Sequence, residues 1–434
     1  MSGLAKILSQ LGHSVSGSDL KPARMLDVLR DVGVETWLGH EPARMAEVGV
    51  VVRSSAVPAS DPEVAAARDL GIEVWDRPQL LARLTADNPA LGIAGTHGKT
   101  TSTAMMVSAL RGMGHDPSFL VGGEIVGLNT GAHAGDATFV LEADEAFGTF
   151  RHLDLASVLV TNIEADHLDF YGTVTALEDA FGQVVDRVPG PRVGCIDDAG
   201  VRRLAQRVEL TGYGMSADAQ YRIEDLDHAG GGVSFTLAGP SDSVTVSLGK
   251  PGMHIASNAA GVLTMLAMLG HDPGRAAAAL GSFTGVRRRY EVRGVVRGIT
   301  VVDDYAHHPT EVGATIEAAT RATSGRVIVV FQPHRYTRTA DLGPAFGVPL
   351  AGADHVIVTD IYSAGEQPII GVSGRVVVQA TEAAGGSAAF VRVLADVPEQ
   401  VASIARDGDT VLLLGAGDIT TIAAEVTKAI EATA

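Results

Sequence analysis

Residues 95–101 read Gly-Thr-His-Gly-Lys-Thr-Thr. A glycine-rich turn that delivers one lysine and two hydroxyls is suited to holding a phosphate. Before it, Leu91, Ile93 and Ala94 predict the end of a buried strand, and Thr103–Met113 predicts an apolar-faced helix. A loop between such elements aims backbone N–H groups and the positive end of the helix dipole at an anion. The common phosphate-loop pattern, G-x-x-x-x-G-K-[ST], places a glycine five positions before the one preceding lysine. Here that position is Ile93, so the stretch is a shorter relative of the loop. A tight turn without a ligand is the plain alternative. It leaves Gly-Lys-Thr after a strand without a reason.

Two more strand ends carry charge. "TFVLEADEAF" places Glu142, Asp144 and Glu145 after an apolar run, and "SVLVTNIEADHLDFYG" does the same with Asn162, Glu164, Asp166, His167 and Asp169. Ligands in open α/β sheets bind beyond the carboxyl ends of the strands, so these three sites should gather on one edge. Mg²⁺ at nucleotide sites takes one or two protein oxygens plus phosphate oxygens. Thr100 and Glu142 are of the right kind, and His167 suits a second, softer or mixed site. In "GKPGMHIASNAAGVL", His254 and Asn258 lie four apart and face the same way on a helix. They could meet a purine or ribose, or simply cap and pack.

Nearer the C-terminus, "VVDDYAHHPTEV" ends a strand with Asp303, Asp304, Tyr305, His307 and His308, and "VIVVFQPHRYTRTADL" ends another with His334, Arg335 and Arg338. Two arginines three apart can fork onto a carboxylate or a phosphate. Zinc is disfavoured, because neither a His-x-x-x-His pair nor a cysteine set accompanies these histidines.

The elements that must position these residues alternate short Val/Ile/Leu runs with Ala-rich helical stretches, the mark of parallel α/β sheets. A chain of 434 residues suggests two or three domains. Composition shifts divide it at 1–87, 88–286 and 287–434. The first part predicts a helix over Gly3–Leu11, a strand over His13–Ser16 and an acid at Asp19, as in the second part of a dinucleotide-type βαβ unit. Strands are expected around Tyr221–Leu248, broken at Gly230–Gly232. The last part predicts a hairpin, then strands at "RVIVVF", "HVIVTD" and "TVLLLG".

Charge runs to 33 basic against 51 acidic residues, a net of −18, which argues against nucleic-acid or anionic-membrane binding. An anionic substrate must then be held by local donors and metal ions. The single cysteine, Cys195, precludes an internal disulfide and reads as a buried thiol. Neither a membrane-length apolar run nor a leader sequence is evident, so a cytoplasmic location is expected.

In order and spacing, "SGSDL", "SSAV", "GTHGKTT", "LEADE", "TNIEADHLDFYG", "DDYAHHPTEV", "FQPHRYTRT" and "LLLGAGDI" resemble the Mur ligase family over essentially the whole chain. "DDYAHHP" with "FQPHRYTRT" is similar to the branch that adds L-alanine to UDP-N-acetylmuramate. The resemblance implies a three-domain α/β architecture: a Rossmann-like N-terminal domain for the UDP-sugar, a central P-loop ATPase domain and a C-terminal Rossmann-like domain for the amino acid. It implies ATP as co-substrate and Mg²⁺ (Mn²⁺ as a substitute), an acyl-phosphate intermediate, and a monomer or weak homodimer.

By the same resemblance, Gly95, Thr96, His97, Gly98, Lys99, Thr100 and Thr101 hold ATP, with His254, Asn258, Arg289 and Asp303 near the nucleotide. Thr100, Glu142 and His167 hold metal, and Lys99, His167, His307, Arg335 and Arg338 are catalytic. Ser18, Asp19, Ser54 and Ser55 line the UDP end. Asn162, Tyr305, His307, Arg335 and Arg338 meet the substrates, the two arginines clamping the alanine carboxylate.

Three features depart from the family. Its first strand and glycine-rich turn have no counterpart in these residues: either the true start lies upstream, or this domain lacks an edge element and part of its phosphate-binding turn, and binding of the uridine diphosphate turns on which of the two holds. Ala146-Phe147 stands where Ser-Asp is usual, and Ile255 follows His254 where Asn is frequent. A tripeptide-adding recycling ligase is the rival within the family, and an inactive nucleotide-binding homologue the rival outside enzymes. The presence of Lys99, Glu142, His167, Arg335 and Arg338 favours an enzyme.

Overall fold

The computed structural model describes residues 1–22 and 24–433. Its strands, in chain order, are β1 Ser16–Asp19, β2 Glu35–Leu38, β3 Val50–Arg53, β4 Glu73–Asp76, β5 Ala90–Ala94, β6 Pro117–Ile125, β7 Thr130–His133, β8 Ala137–Glu142, β9 Ser157–Val160, β10 Arg192–Cys195, β11 Thr211–Gly214, β12 Tyr221–Asp227, β13 Val233–Ala238, β14 Ser243–Leu248, β15 Glu291–Val296, β16 Ile299–Asp304, β17 Val327–Phe331, β18 His355–Val358, β19 Ala388–Phe390 and β20 Thr410–Leu414. The chain divides into two compact units. One comprises Met1–Ile223, Leu237–Val244 and Asn258–Ser282, and the other Glu224–Thr236, Thr245–Ser257 and Phe283–Ala434.

In the first unit a helix over Ser2–Gln10 is followed by two separate parallel strand pairs, β1–β2 and β3–β4. The helix turns Leu4 and Ile7 into the core, and Lys6 donates from Nζ to Thr130 Oγ1 at 2.8 Å. It thereby covers β7, the edge strand of the main sheet. The strand expected at His13–Ser16 lies three residues later. Gly12 ends the helix at φ +88°, and pairing with β2 starts only where Ser16 meets Glu35.

The main sheet runs β14-β13-β12-β11-β10-β9-β5-β8-β6-β7. Its centre decides the site. β5 is parallel to β8 on one side and to β9 on the other, so the loops leaving these three strands emerge side by side, about 4.8 Å apart. All five residues of β5 are buried, and the helix Lys99–Gly112 that follows buries almost every residue of its first three turns. Cys195, at the end of β10, is buried as a thiol.

The second unit is built on the sheet β15-β16-β20-β17-β18-β19, parallel except for the β15–β16 hairpin. Alternation splits its interior cleanly. Val302, Val327, Val329, Phe331, Leu412 and Leu414 face one core, and Val301, Ile328, Val330, Val411 and Leu413 face the other. Strands buried on both faces read as unbroken apolar runs, which is why "RVIVVF" and "TVLLLG" stood out. The carboxyl ends of β16, β20, β17 and β18 all open on the same edge.

Candidate active site

In the first unit the loop after β5 is shaped by its glycines and by the neighbouring β9 loop. Gly95 has φ +134° and Gly98 φ +82°, values open to glycine and costly for other residues. Space forbids a side chain as well: a Cβ on Gly95 would fall 2.1 Å from Thr161 Oγ1, and one on Gly98 would fall 2.6 Å from Asn258 Oδ1. Asn162 brackets the loop, accepting from His97 N at 2.8 Å through Oδ1 and donating to the His97 carbonyl at 3.1 Å through Nδ2. Thr96 N donates to the Asn162 carbonyl at 3.1 Å, and Glu164 N donates to Thr96 Oγ1 at 2.9 Å. Asn162, expected at the substrate, is thus occupied in holding the loop after β5. Thr100 and Thr101 open the helix and are buried.

The carboxylate of Glu142, at the end of β8, accepts from Gly122 N at 2.5 Å. A Cβ built on Gly122 would stand 2.9 and 3.1 Å from the two Glu142 oxygens and 3.2 Å from Thr100 Oγ1. One small space is therefore bounded by three oxygens of the hard type that Mg²⁺ prefers, and glycine leaves it open. The donor set fits the cation that the sequence pattern implies. His167 follows in the β9 loop in a left-handed conformation, φ +53°, with its Nε2 3.8 Å from Asp166 Oδ2.

Lys99 turns back into its own loop, donating to the Gly95 carbonyl at 2.6 Å and to both Glu145 oxygens at 2.8 and 2.7 Å. Asp144 stands 3.5 Å away. Burial works against the ammonium charge, but Glu145 and Asp144 more than offset it and hold the lysine above its usual pKa.

In the second unit the β16 loop carries the acids and rings. Asp303 is fully buried, accepting from Thr420 Oγ1 at 2.5 Å, with Arg288 Nε 3.9 Å from its other oxygen. Asp304, its neighbour on the opposite face, accepts from Tyr290 N and Ala306 N at 2.7 Å each. Burial pushes Asp304 up to about 6, against the pull of Arg289 and these two donors. Arg288 and Arg289 lie 4.9 and 5.0 Å from the Tyr305 ring centre.

A row of rings follows, Tyr305 to His307 at 5.1 Å, His307 to His334 at 6.0 Å, and His334 stacked on Tyr362 at 5.6 Å. Burial lowers both imidazoles to about 4, opposed at His307 by Glu311 and reinforced at His334 by His307 and Arg338. His254, in this unit, is likewise lowered to about 4 by burial. Arg335, at φ +70°, donates from Nε to Glu366 Oε1 at 2.5 Å. Burial opposes the charge on Glu366, yet the Thr337 N–H and hydroxyl and Arg335 hold it down at about 2.

Three family models match successive parts of the chain: "Mur ligase family, catalytic domain" over residues 1–88, "Mur ligase middle domain" over 93–266 and "Mur ligase, glutamate ligase domain" over 288–417. A UDP-N-acetylmuramate–L-alanine ligase of Mycolicibacterium vanbaalenii is 42% identical, the match covering 100% of this chain and 95% of the relative. The chain belongs to the Mur ligase family. A relative of the same name from Kineococcus radiotolerans is 43% identical over 98% of this chain and 93% of its own. The crystal structure of the UDP-N-acetylmuramate–alanine ligase of Thermotoga maritima superposes with a TM-score of 0.85 at 25% identity, covering 100% of this chain and 97% of that one. A murein peptide ligase from Psychrobacter arcticus shares the fold at 24% identity and a TM-score of 0.71, covering 100% and 97%.

Read as a Mur ligase, the chain has the three-domain α/β architecture that the motifs implied. At its N-terminal end Ser18 and Asp19 close β1, and Ser54 and Ser55 follow β3. Ser18 donates to Glu63 at 2.5 Å, Asp19 accepts from Lys21 N at 3.0 Å, and Ser54 accepts from Ala56 N at 3.3 Å. Glu63, not singled out from the sequence, is buried and also accepts from Trp37 Nε1 at 2.9 Å and Glu41 N at 2.8 Å. It is the polar hub of this part of the Mur ligase chain.

Sequence reasoning also passed over Gly122, Glu366 and Gln332. Gln332, buried after β17, donates to Asp418 at 2.7 Å and accepts from Ile419 N at 3.1 Å, joining two loops. Only Gln332 had a signal, a polar residue directly after an all-apolar strand. Glu366 lies 31 positions from the arginine it holds, beyond the reach of local pattern. Among the described residues, no helix is long and apolar enough to cross a membrane.

Proposed function

We propose that this chain joins L-alanine to the lactyl carboxylate of UDP-N-acetylmuramate at the expense of ATP, in peptidoglycan precursor synthesis. The full-length identity of 42–43% to ligases of that name carries the reading, and the Gly95–Thr101 loop with Lys99 supplies its chemistry. We assign residues 1–87 to the sugar nucleotide, 88–286 to ATP and 287–434 to the amino acid.

A carboxylate does not accept an amine at neutral pH without a better leaving group. The lactyl carboxylate attacks the terminal phosphorus of ATP, ADP leaves, and an acyl phosphate forms. The alanine amine then attacks the acyl carbon, loses a proton, and phosphate departs as the amide forms. Two anions must meet in the first step, so most of the catalysis is charge compensation and positioning. Backbone N–H groups of Gly98–Thr101, at the start of the helix, and the Lys99 ammonium would take the ATP phosphates, within a loop shaped by Gly95, Thr96 and His97. Thr100 and Glu142 would hold one Mg²⁺ (or Mn²⁺) and His167 a second, supplying neutralisation of the phosphate charge. His254, Asn258, Arg289 and Asp303 are assigned to the nucleotide side.

Arg335 and Arg338 are assigned to the alanine carboxylate, with Tyr305 and His307 beside it. A neutral His307, donating from Nδ1 to the Tyr305 carbonyl at 3.0 Å, presents Nε2 as an acceptor. Ser18, Asp19, Ser54 and Ser55 are assigned to the uridine-diphosphate end.

The test is ADP release from the chain with ATP, Mg²⁺ and UDP-N-acetylmuramate, with and without L-alanine. Alanine-dependent turnover is expected. Turnover that requires a tripeptide and ignores alanine would move the chain to the recycling branch, and nucleotide binding without turnover would overturn the assignment.

A further inference from the structure

Lys99 has its full complement of close partners within the protein itself. An ammonium has three N–H donors, and the Gly95 carbonyl and the two Glu145 oxygens, at 2.6, 2.8 and 2.7 Å, account for three close acceptors. Glu145 is no surface partner of convenience, since its side chain is only 2% exposed. Its backbone is pinned too. The Tyr171 hydroxyl donates to the Glu145 carbonyl at 2.6 Å, and Phe147 meets Phe170 edge-on at 6.1 Å. These two contacts tie the loop that carries Glu145 to the loop that carries His167.

A phosphate that takes Lys99 must therefore displace a buried carboxylate, which is then left facing the phosphate's own negative charge. The assigned roles leave Glu145 unused. Glu142 has the metal cradle, and Asp144 is more exposed and farther from the lysine.

We propose that Glu145 is a positioning residue that holds Lys99 inside the phosphate loop, yields it when a nucleotide phosphate arrives, and takes it back so that ADP can leave. This rests on the assignment of Lys99 to the ATP phosphates. Glu145 thereby weakens nucleotide binding while keeping the lysine aimed into the loop, and turnover gains from the faster release of product. Electrostatics fix the sign of the effect. A residue that merely supported the loop would weaken binding when changed, whereas a competitor for Lys99 strengthens it.

The experiment compares wild type, Glu145→Gln and Glu145→Asp by calorimetric titration with ADP and Mg²⁺, by steady-state kinetics, and by the rate at which acetic anhydride labels Lys99 at pH 9. Glutamine should bind ADP about tenfold tighter, with KM for ATP and kcat falling together. Its Lys99 should label several-fold faster in the nucleotide-free protein, because the amine is no longer held by two hydrogen bonds to a buried carboxylate. Asp144 and Glu142, the other acids facing Lys99, limit that gain. Aspartate, keeping the charge but withdrawing it by one methylene, should fall between the two on both readouts.

Weaker ADP binding with unchanged labelling in a folded Gln variant would overturn the proposal. If Gln does not fold, wild-type labelling in the Asp variant does the same. Adding ADP should slow the labelling of Lys99 in the Gln variant. A lack of protection would defeat the assignment of Lys99 to phosphate, and displacement with it, even where the labelling rates show the ion pair to be real.

Discussion

Replacing Gly122 by alanine tests the cation assignment at the one point where geometry gives a size for the effect. The added Cβ would stand 2.9 and 3.1 Å from the Glu142 oxygens and 3.2 Å from Thr100 Oγ1. Ordinary contact begins near 3.4 Å, so these oxygens must retreat by roughly 0.2 to 0.5 Å. Metal sites tolerate about 0.2 Å in ligand distance. The methyl group also occupies the space that the three oxygens bound.

Disturbing groups around a metal typically lowers affinity by about 10- to 100-fold, or about 1.4–2.8 kcal/mol. The Mg²⁺ concentration for half-maximal activity should rise by that factor. Mn²⁺ binding in the presence of ADP, followed by electron paramagnetic resonance, should weaken in parallel without any need for turnover. Because Gly122 is exposed and its φ is not positive, the fold should lose no more than about 0.5 kcal/mol. A variant with wild-type melting whose Mg²⁺ and Mn²⁺ requirements stay within threefold of the parent would refute the cradle.

Lys99→Ala should abolish alanine-dependent ADP release by removing charge compensation at the phosphates, and unchanged turnover would remove the loop from the mechanism. Arg338→Ala should mainly raise KM for L-alanine, and a change confined to KM for ATP would place that arginine elsewhere. His254, His307 and His334 are lowered to about 4 by burial, so between about pH 6.5 and 4 they bind protons in the unfolded chain but not in the folded one. Stability should therefore fall on acidification through that window. His254→Gln should reduce the slope by about 1.4 kcal/mol per pH unit, measured by urea unfolding at stepped pH. Glu366, held at about 2, contributes stability that is present above its ordinary carboxylate value and lost as pH falls toward 2. In Glu366→Gln the acid-unfolding curve should be shallower below pH 4.5.

The chemistry-bearing loops were legible because each follows an unbroken apolar strand, and burial on both faces leaves no other pattern for β5, β9, β17 and β20. The loop after β5 was legible for a second reason, since Gly95 and Gly98 sit where both backbone angle and space exclude a side chain. The Asp303–Asp304 pair shows the limit. Both end β16, but alternation sends one toward Thr420 and the other toward the backbone of Tyr290 and Ala306. A pair of like residues does not announce which is which. Pairings set by packing were invisible for the same reason. Glu366 with Arg335, Glu63 with Trp37, and the space over Gly122 all depend on chain segments far apart in sequence. The strand at the start of the chain was misplaced by three residues, because pairing register with β2, rather than local composition, decides where β1 begins.

The bracket that Asn162, Thr161 and Glu164 place around residues 95–98 has a consequence for recognition. The Thr161 hydroxyl donates to the His97 carbonyl at 2.5 Å, and both ends of the Asn162 amide are committed to the same loop. Its shape is held by the protein's own groups, so binding need not order it, and that entropy is subtracted once, during folding. Rigid anions that match the loop as it stands should therefore bind well for their size, whereas flexible chains gain nothing from their adaptability.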